Sequence, residues 1–390
     1  MASFNRSVSQ FCRRVLRSHF SRFSKRWSAA WLYRLPQLLP VLLRQLLTHC
    51  QLASGSITLS GRCSPDWRRR LTGQRVLVLG VLLCSATELM AQSSQNSDEP
   101  WNWSDDFVFS QVNRVRAGRD LTPETWPGGA RVAVLLSYDV DNETIQGLRS
   151  GEFSIGPLSQ GEYGSRVALP RVVNLMDQEN IPATFFFPAW SLKLAPEQAE
   201  LIQRSGRHEI GVHGWIHELN TAIDAATEER LLRQAVATIE SIAGVRAVGY
   251  RAPSWNHSPA TLAIVRKMGF LYESSLMHDD RPYELLQDGE PTGVVELPVE
   301  WILDDAPLFN PLGARYMNPR DVMQVWIDEF DRAWEEGTLF LLTMHPHVIG
   351  HRSRLVALEG LIAHIKAKGG VWFATHEQAA RYVKAQAGMQ

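Results

Sequence analysis

Six side chains in this sequence have the types and spacing for hydrolytic chemistry. Asp139 and Asp141 stand two positions apart at the end of an apolar run, and side chains two apart on a strand face the same way. Two carboxylates side by side repel each other unless a cation or a shared proton relieves them. His213 and His217 are spaced i, i+4 among Gly211, Gly214 and Trp215. On a helical turn that spacing puts both imidazoles on one face, the arrangement of zinc-binding histidine pairs. Two histidines plus one carboxylate leave positions on a metal open for water and substrate, as a catalytic site requires and a closed structural site does not. Arg251 opens the segment Arg251-Ala252-Pro253-Ser254-Trp255; buried there, its guanidinium would grip one carboxylate by two parallel hydrogen bonds. His345 lies in Leu342-Thr343-Met344-His345-Pro346-His347, and an ordinary imidazole pKa of about 6.5 suits giving a proton to a departing amine. Each feature alone also has a plain structural reading: turn-forming aspartates, capping histidines, a rim salt bridge, a satisfied loop histidine. Their combination points to metal-assisted hydrolysis.

These groups need a scaffold that brings distant segments together. From residue 121 onward, short apolar runs alternate with helix-period segments, which argues for βα units around a parallel sheet. Strands are expected at 131–138, 183–187, 209–212, 246–250, 270–274, 294–299, 338–343 and 371–374. Helices are expected near 166–178, 196–205, 227–242 and 355–368, with others opening at Ser258-Pro259, Asn318-Pro319 and Glu377. Gly147, Gly151, Gly156, Gly161 and Gly164 read as a glycine-rich loop between the first strand and the first helix. Seven or eight such repeats in roughly 265 residues make a (β/α) barrel, with a doubly wound open sheet as the alternative. The barrel puts functional residues just after strand C-termini, where Asp139, His213, Arg251 and His345 fall.

Composition supports one sizeable core. Of 390 residues, 45% are hydrophobic and 21% charged, with 13 Trp, which argues against global disorder and a polytopic membrane protein. A net charge of −1 gives no sign of a nucleic-acid partner. That average hides a split: residues 1–91 carry 14 Arg and Lys against two acids, and the remainder carries 26 basic against 39 acidic side chains. All four cysteines (Cys12, Cys50, Cys63, Cys84) are in the first part, so residues 92–390 can form no disulfide or thiolate metal site. There is no Gly-x-Ser-x-Gly elbow, P-loop or dinucleotide-binding glycine motif, which disfavours serine-hydrolase and nucleotide-dependent chemistry.

The charge split has an expected cause. Arg68, Arg69, Arg70 and Arg75 precede an uncharged stretch at 76–87, then Leu89-Met90-Ala91 and a polar segment. That is the order of a secretory signal, here 68–91, and the apolar part is shorter than the roughly 20 residues a bilayer span needs. The expected destination is the periplasm or the outside of the cell, with no stable membrane span after cleavage. Residues 1–67 then read as a start placed too far upstream or as a basic membrane-surface extension, and 92–120 as a lead-in to the barrel at 121–390.

Taken in order, these segments resemble the polysaccharide deacetylase family (carbohydrate esterase family 4, the NodB-homology domain), over about residues 120–385. Ser137-Tyr138-Asp139-Val140-Asp141 looks like its first motif, which implies Asp139 as catalytic base and Asp141 as metal ligand. His213-Gly214-Trp215-Ile216-His217 is similar to the second, the metal-binding histidines. Arg251-Ala252-Pro253 matches the third, whose Arg holds the base, and Leu342-Thr343-Met344-His345 the last, which carries the catalytic acid. The resemblance implies a distorted (β/α)7 barrel, a divalent metal such as Zn²⁺, and removal of N-acetyl groups from an amino-sugar polysaccharide. Val140 separates two aspartates that are adjacent in the common motif, which resembles the peptidoglycan deacetylase-like and allantoinase-like branch. The fourth motif falls among Glu300, Trp301, Asp304 and Asp305, with Trp301 expected as a pocket wall. Pro253, Trp255 and His347 complete the expected substrate contacts. The alternatives are an allantoinase-like hydrolase of a small cyclic amide and a non-catalytic glycan-binding barrel.

Overall fold

The computed structural model describes residues 99–151, 153–309 and 316–389. The extension 1–67, the expected signal at 68–91 and all four cysteines lie outside the described residues. One sheet holds ten strands among them: β1 (Val115–Asp120), β2 (Val132–Asp139), β3 (Thr184–Phe187), β4 (Glu209–Val212), β5 (Gly249–Tyr250), β6 (Tyr272–Glu273), β7 (Tyr283–Gln287), β8 (Glu290–Glu296), β9 (Leu339–Met344) and β10 (Val371–Ala374). Their order is β1-β7-β8-β6-β5-β4-β3-β2-β10, with β9 also on β2. Pairing is parallel except where β7 meets β1 and β8. The sheet curls with helices between its parallel strands, the distorted (β/α)7 barrel the sequence leads one to expect.

β2 is the hub because both its faces are apolar and buried, as a central parallel strand requires. Val132, Val134, Leu136 and Tyr138 join the larger core cluster, and Ala133 and Leu135 face a second cluster with Phe186, Tyr272, Leu339 and Leu341. The alternation continues through the strand end. Ser137, Asp139 and Asp141 follow Ala133 and Leu135 on one face, while Val140 packs into the opposite cluster. The residue that separates the aspartates is therefore a core anchor, and both carboxylates project to one side.

Several elements differ from expectation. The strand expected at 246–250 is reduced to Gly249–Tyr250, and β7 with its hairpin to β8 falls where none was expected. The sheet starts at Val115, inside the segment read as lead-in, because β1 pairs with β7. The glycine-rich stretch is not an open loop: Ile155–Tyr163 is helical. A Cβ on Gly161 would stand 2.5 Å from the Glu143 backbone nitrogen, and one on Gly164 would stand 2.4 Å from Asn142 Oδ1. Those glycines permit close backbone approach within packed structure, not chain freedom. The helix expected to open at Ser258-Pro259 starts at Thr261, because the Ser258 hydroxyl donates to buried Glu228 at 2.6 Å and accepts from Ala260 N. Asn318-Pro319 behaves as expected, with the Asn318 side chain capping the helix Pro319–Glu336 and Gly337 closing it in the left-handed region. No helix of the described residues is long and apolar enough to cross a membrane.

Candidate active site

All six residues singled out by type and spacing meet at one end of the sheet. Asp139, Asp141, His213, His217, Arg251 and His345 are buried there. Asp141 is the centre of the arrangement: its carboxylate lies 3.5 Å from His213 Nε2 and 3.5 Å from His217 Nε2. One ligand atom from each of these residues falls within 4.8 Å of the others.

The two histidines do not reach this point from a helical turn. After β4 the chain runs as a loop with Gly214 at φ 77° and His217 at φ 64°. It is pinned by Ala189 N–H to Gly214 O at 3.0 Å and Trp190 N–H to Trp215 O at 3.0 Å. The Glu218 carboxylate accepts from the amides of Trp215 and Ile216, which closes the loop on itself. A Cβ on Gly214 would meet Pro253 Cγ at 2.7 Å, so the glycine answers both a left-handed backbone and a crowded neighbour. The i, i+4 spacing was informative about proximity and wrong about its cause.

The donor set fits a metal. Both Asp141 oxygens are buried without a hydrogen-bond partner. Burial, with the nearby charges of Asp139 and Asp304 adding to it, pushes that carboxyl well above the usual range against the pull of His345. Burial also pushes His213 down to about 4 and His217 well below its ordinary value, so both rings are neutral near pH 7, as ligands must be. His213 Nδ1 donates to the Arg251 carbonyl at 2.8 Å, which leaves the Nε2 lone pair free toward Asp141. One carboxylate oxygen and two imidazole nitrogens are the ligand chemistry of a catalytic Zn²⁺ site. Arg149 Nη1 lies 3.2 Å from His217 Nδ1 and 3.2 Å from Ser254 Oγ. If His217 held a metal through Nε2, its ring proton would sit on Nδ1, and Arg149 Nη1 could no longer donate to that nitrogen.

A second acidic cluster, Asp304, Asp305 and His345, has comparable spacing. Its Asp305 oxygens are already engaged by His345. Asp305 accepts from His345 Nδ1 at 2.7 Å and from the His345 backbone amide with both oxygens. Burial alone would push His345 down, yet the carboxylates of Asp304 and Asp305 hold it well above its ordinary value. Asp304 itself is pushed up to about 7 by burial. His345 Nε2 faces the cluster, 3.7 Å from Asp141 Oδ2. Of the four fourth-motif candidates, Asp305 is the one that hydrogen-bonds His345, with Asp304 Oδ1 3.6 Å from the same nitrogen; the bond spans 40 positions and no local spacing announces it.

Replacing Asp305 with Asn removes one of the charges that keep His345 protonated. On the acid role that the resemblance implies for His345, the expected result is a loss of about 100-fold or more in kcat, the scale of a general acid, with the alkaline limb of the pH–rate profile moved to lower pH. The sign follows from the ring's position: a raised pKa keeps the acid form present until pH passes it, and lowering that pKa ends the window sooner. An unchanged alkaline limb in the folded variant would sink the assignment.

Arg251 and Asp139 form the other half of the site. Arg251 Nη1 donates to Asp139 Oδ1 at 2.8 Å, and Asp139 Oδ2 faces the cluster, 3.7 Å from His213 Nε2. Burial would raise the Asp139 carboxyl, but the Arg251 guanidinium, helped by the charge of His345, holds it below its ordinary value. The expected two-pronged grip is absent: a single nitrogen holds one oxygen, and the second prong goes elsewhere. Beyond Arg251 the chain takes two consecutive left-handed residues, Ser254 at φ 54° and Trp255 at φ 52°. Such conformations cost of order 1–3 kcal/mol each and cluster at functional sites.

Of the expected substrate contacts, Trp301 is 45% exposed with its ring centroid 4.1 Å from that of buried Trp255. Pro253 is buried against Gly214. His347 is buried in the short helix Pro346–Ile349 and pushed down to about 3 by burial. Its ring packs against that of His345 with centroids 5.7 Å apart.

The model of the polysaccharide deacetylase family matches residues 158–272. The peptidoglycan deacetylase of Helicobacter pylori is 34% identical over 284 residues, which cover 64% of this chain and 97% of that protein. The peptidoglycan deacetylase-like protein FGM2 of Gibberella zeae is 28% identical over 293 residues, covering 64% of this chain and 86% of its own. A solved structure from Mycobacterium smegmatis assigned to the polysaccharide deacetylases superimposes with a TM-score of 0.64 at 36% identity, covering 68% of this chain and 94% of the other. The chain belongs to the polysaccharide deacetylase family. It is accordingly a hydrolase of carbon–nitrogen amide bonds.

Proposed function

We propose that the chain is an exported, metal-dependent deacetylase that removes N-acetyl groups from an amino-sugar polymer, with Asp141, His213 and His217 as metal ligands. The observation that carries this reading is the Asp141 carboxylate, buried with both oxygens unpartnered and faced by two neutral imidazole nitrogens. Zn²⁺ bound there would supply a Lewis acid for the acetamide oxygen and acidify a water.

The chain's own residues divide the proton work. Asp139, ionised and fixed by Arg251 through Oδ1, takes the proton of the attacking water on Oδ2. His345, charged and oriented by Asp305, gives its Nε2 proton to the departing amine nitrogen. A carboxyl held down and an imidazole held up in one buried site are a base and an acid ready at the same pH. Trp255 and Trp301 offer an aromatic wall to a sugar ring. The similarity to the H. pylori protein makes peptidoglycan the first polymer to test, and such a substrate agrees with the export signal read at 68–91.

Acetate release from N-acetylglucosamine oligomers and peptidoglycan by the purified chain tests the reading, with and without chelator and with Zn²⁺ restored. Release that disappears with chelator and returns with Zn²⁺ is expected. Absence of release from every amino-sugar polymer by metal-loaded protein would move the activity to another amide, such as a small cyclic one.

A further inference from the structure

We infer that His376, far from the motif residues in sequence, is a positioning residue that fixes the Arg251 guanidinium and, through it, Asp139; the inference rests on the role proposed above for Asp139. A guanidinium has five N–H donors, and in Arg251 each has an acceptor. Nε donates to Ser274 O at 2.9 Å. Nη1 donates to Ser137 Oγ at 2.9 Å and Asp139 Oδ1 at 2.8 Å. Nη2 donates to Ser274 Oγ at 2.8 Å and to His376 Nε2 at 3.2 Å. His376 is thus the fifth acceptor of a fully buried cation.

Direction follows from counting protons. Because Arg251 can only donate, His376 Nε2 must accept, so its ring proton sits on Nδ1. That proton points to Thr184 Oγ1 at 3.1 Å, which also accepts the His376 backbone amide at 2.9 Å. Thr184 in turn donates to Glu209 Oε2 at 3.0 Å. Glu209 is held from its other sides by the Tyr272 hydroxyl at 2.7 Å and the Glu377 amide at 2.8 Å. Every bond from Arg251 to Glu209 has one allowed polarity. The ring also stands perpendicular to that of Phe186 at 5.2 Å, and the Arg251 guanidinium carbon lies 4.2 Å from the Phe186 ring centroid. Apart from Arg251, whose carbonyl accepts from His213 Nδ1, no member of this chain of bonds touches the Asp141 cluster, so the effect of His376 on chemistry passes through Arg251.

His376→Asn and His376→Gln separate this role from mere space filling. A Gln amide reaches far enough to offer its oxygen to Arg251 while donating to Thr184; an Asn amide reaches Thr184 but falls short of Arg251. In the full chain with N-acetylglucosamine oligomers, His376→Asn is expected to lower kcat by about 10- to 100-fold, the scale of losing an outer partner in a positioned site, with KM within twofold. Spectra of ¹⁵N-arginine-labelled protein should show the restrained Nη signals of Arg251 released in His376→Asn, and His376→Gln should restore both signals and kcat. Wild-type kcat and unchanged Arg251 signals in folded His376→Asn would overturn the inference, as would equal losses in both variants with unchanged signals. Should His376→Asn fail to fold, Thr184→Val, which frees the tautomer, must show the same direction of change, and its indifference would count equally against the inference. Asp139→Asn serves as control: activity retained there removes the base assignment, while the Arg251 spectra still judge His376.

Discussion

Alanine in place of His213 is expected to abolish metal binding and turnover while leaving the fold standing. His213 follows β4 and offers Nε2 to the Asp141 cluster, with Nδ1 on the Arg251 carbonyl. Loss of an outer partner of a metal ligand costs about 10- to 100-fold in affinity, so loss of a ligand itself should exceed that. The structural cost is smaller: one hydrogen bond of roughly 1 kcal/mol and a cavity left by a small ring. Binding to the folded state alone raises stability. Zn²⁺ should therefore raise the melting temperature of the wild type and leave that of His213→Ala unmoved. Metal content, melting curves and acetate release check this together; wild-type turnover in folded His213→Ala protein would defeat the ligand assignment.

Arg251→Leu should have the largest effect on stability. The variant strips a buried carboxylate of its partner and leaves Ser274 O, Ser274 Oγ and His376 Nε2 without their donor. Removing one member of a buried pair costs about 3–5 kcal/mol. The pH dependence gives a sharper signature. Asp139 is held below its unfolded pKa in the wild type, so its contribution is present above the unfolded value of 3.8 and lost as pH falls through the folded one. Without Arg251, burial is the dominant influence and raises the carboxyl. Its penalty then applies at neutral pH and is relieved on acidification. Urea unfolding at pH 7.5 and pH 5 should show the deficit of Arg251→Leu shrinking at the lower pH. A variant within 1 kcal/mol of wild type at neutral pH would show that the ion pair is replaceable.

Local pattern carried much of the site. β2 is readable because both of its faces are apolar, and period two then dictates that Asp139 and Asp141 share a side. The His213/His217 pair was legible as a proximity signal, but Gly214 and a left-handed His217 replace the helix that spacing suggested. Long-range partners left no such trace. Asp305 meets His345 across 40 positions and His376 meets Arg251 across 125, and acceptors of that kind are chosen by the fold, not by neighbours in sequence. The same limit explains β7, a five-residue strand that exists because β1 and β8 flank it. Glycines misled in the opposite sense: Gly161 and Gly164 signal crowding, which composition cannot distinguish from freedom.

The position of β2 bears on how such a site comes into being. This strand carries Asp139 at its end, yet its ladders run to β3, to β9 and to β10, the last two near the far end of the chain, with Ser137 bonded to Leu342 across 205 positions. Contacts of such high order close late in folding, after the entropy of long loops has been lost. A nascent polypeptide still lacking β9 therefore cannot hold the aspartates in place, whatever else has condensed. Reactivity in this molecule belongs to the finished chain.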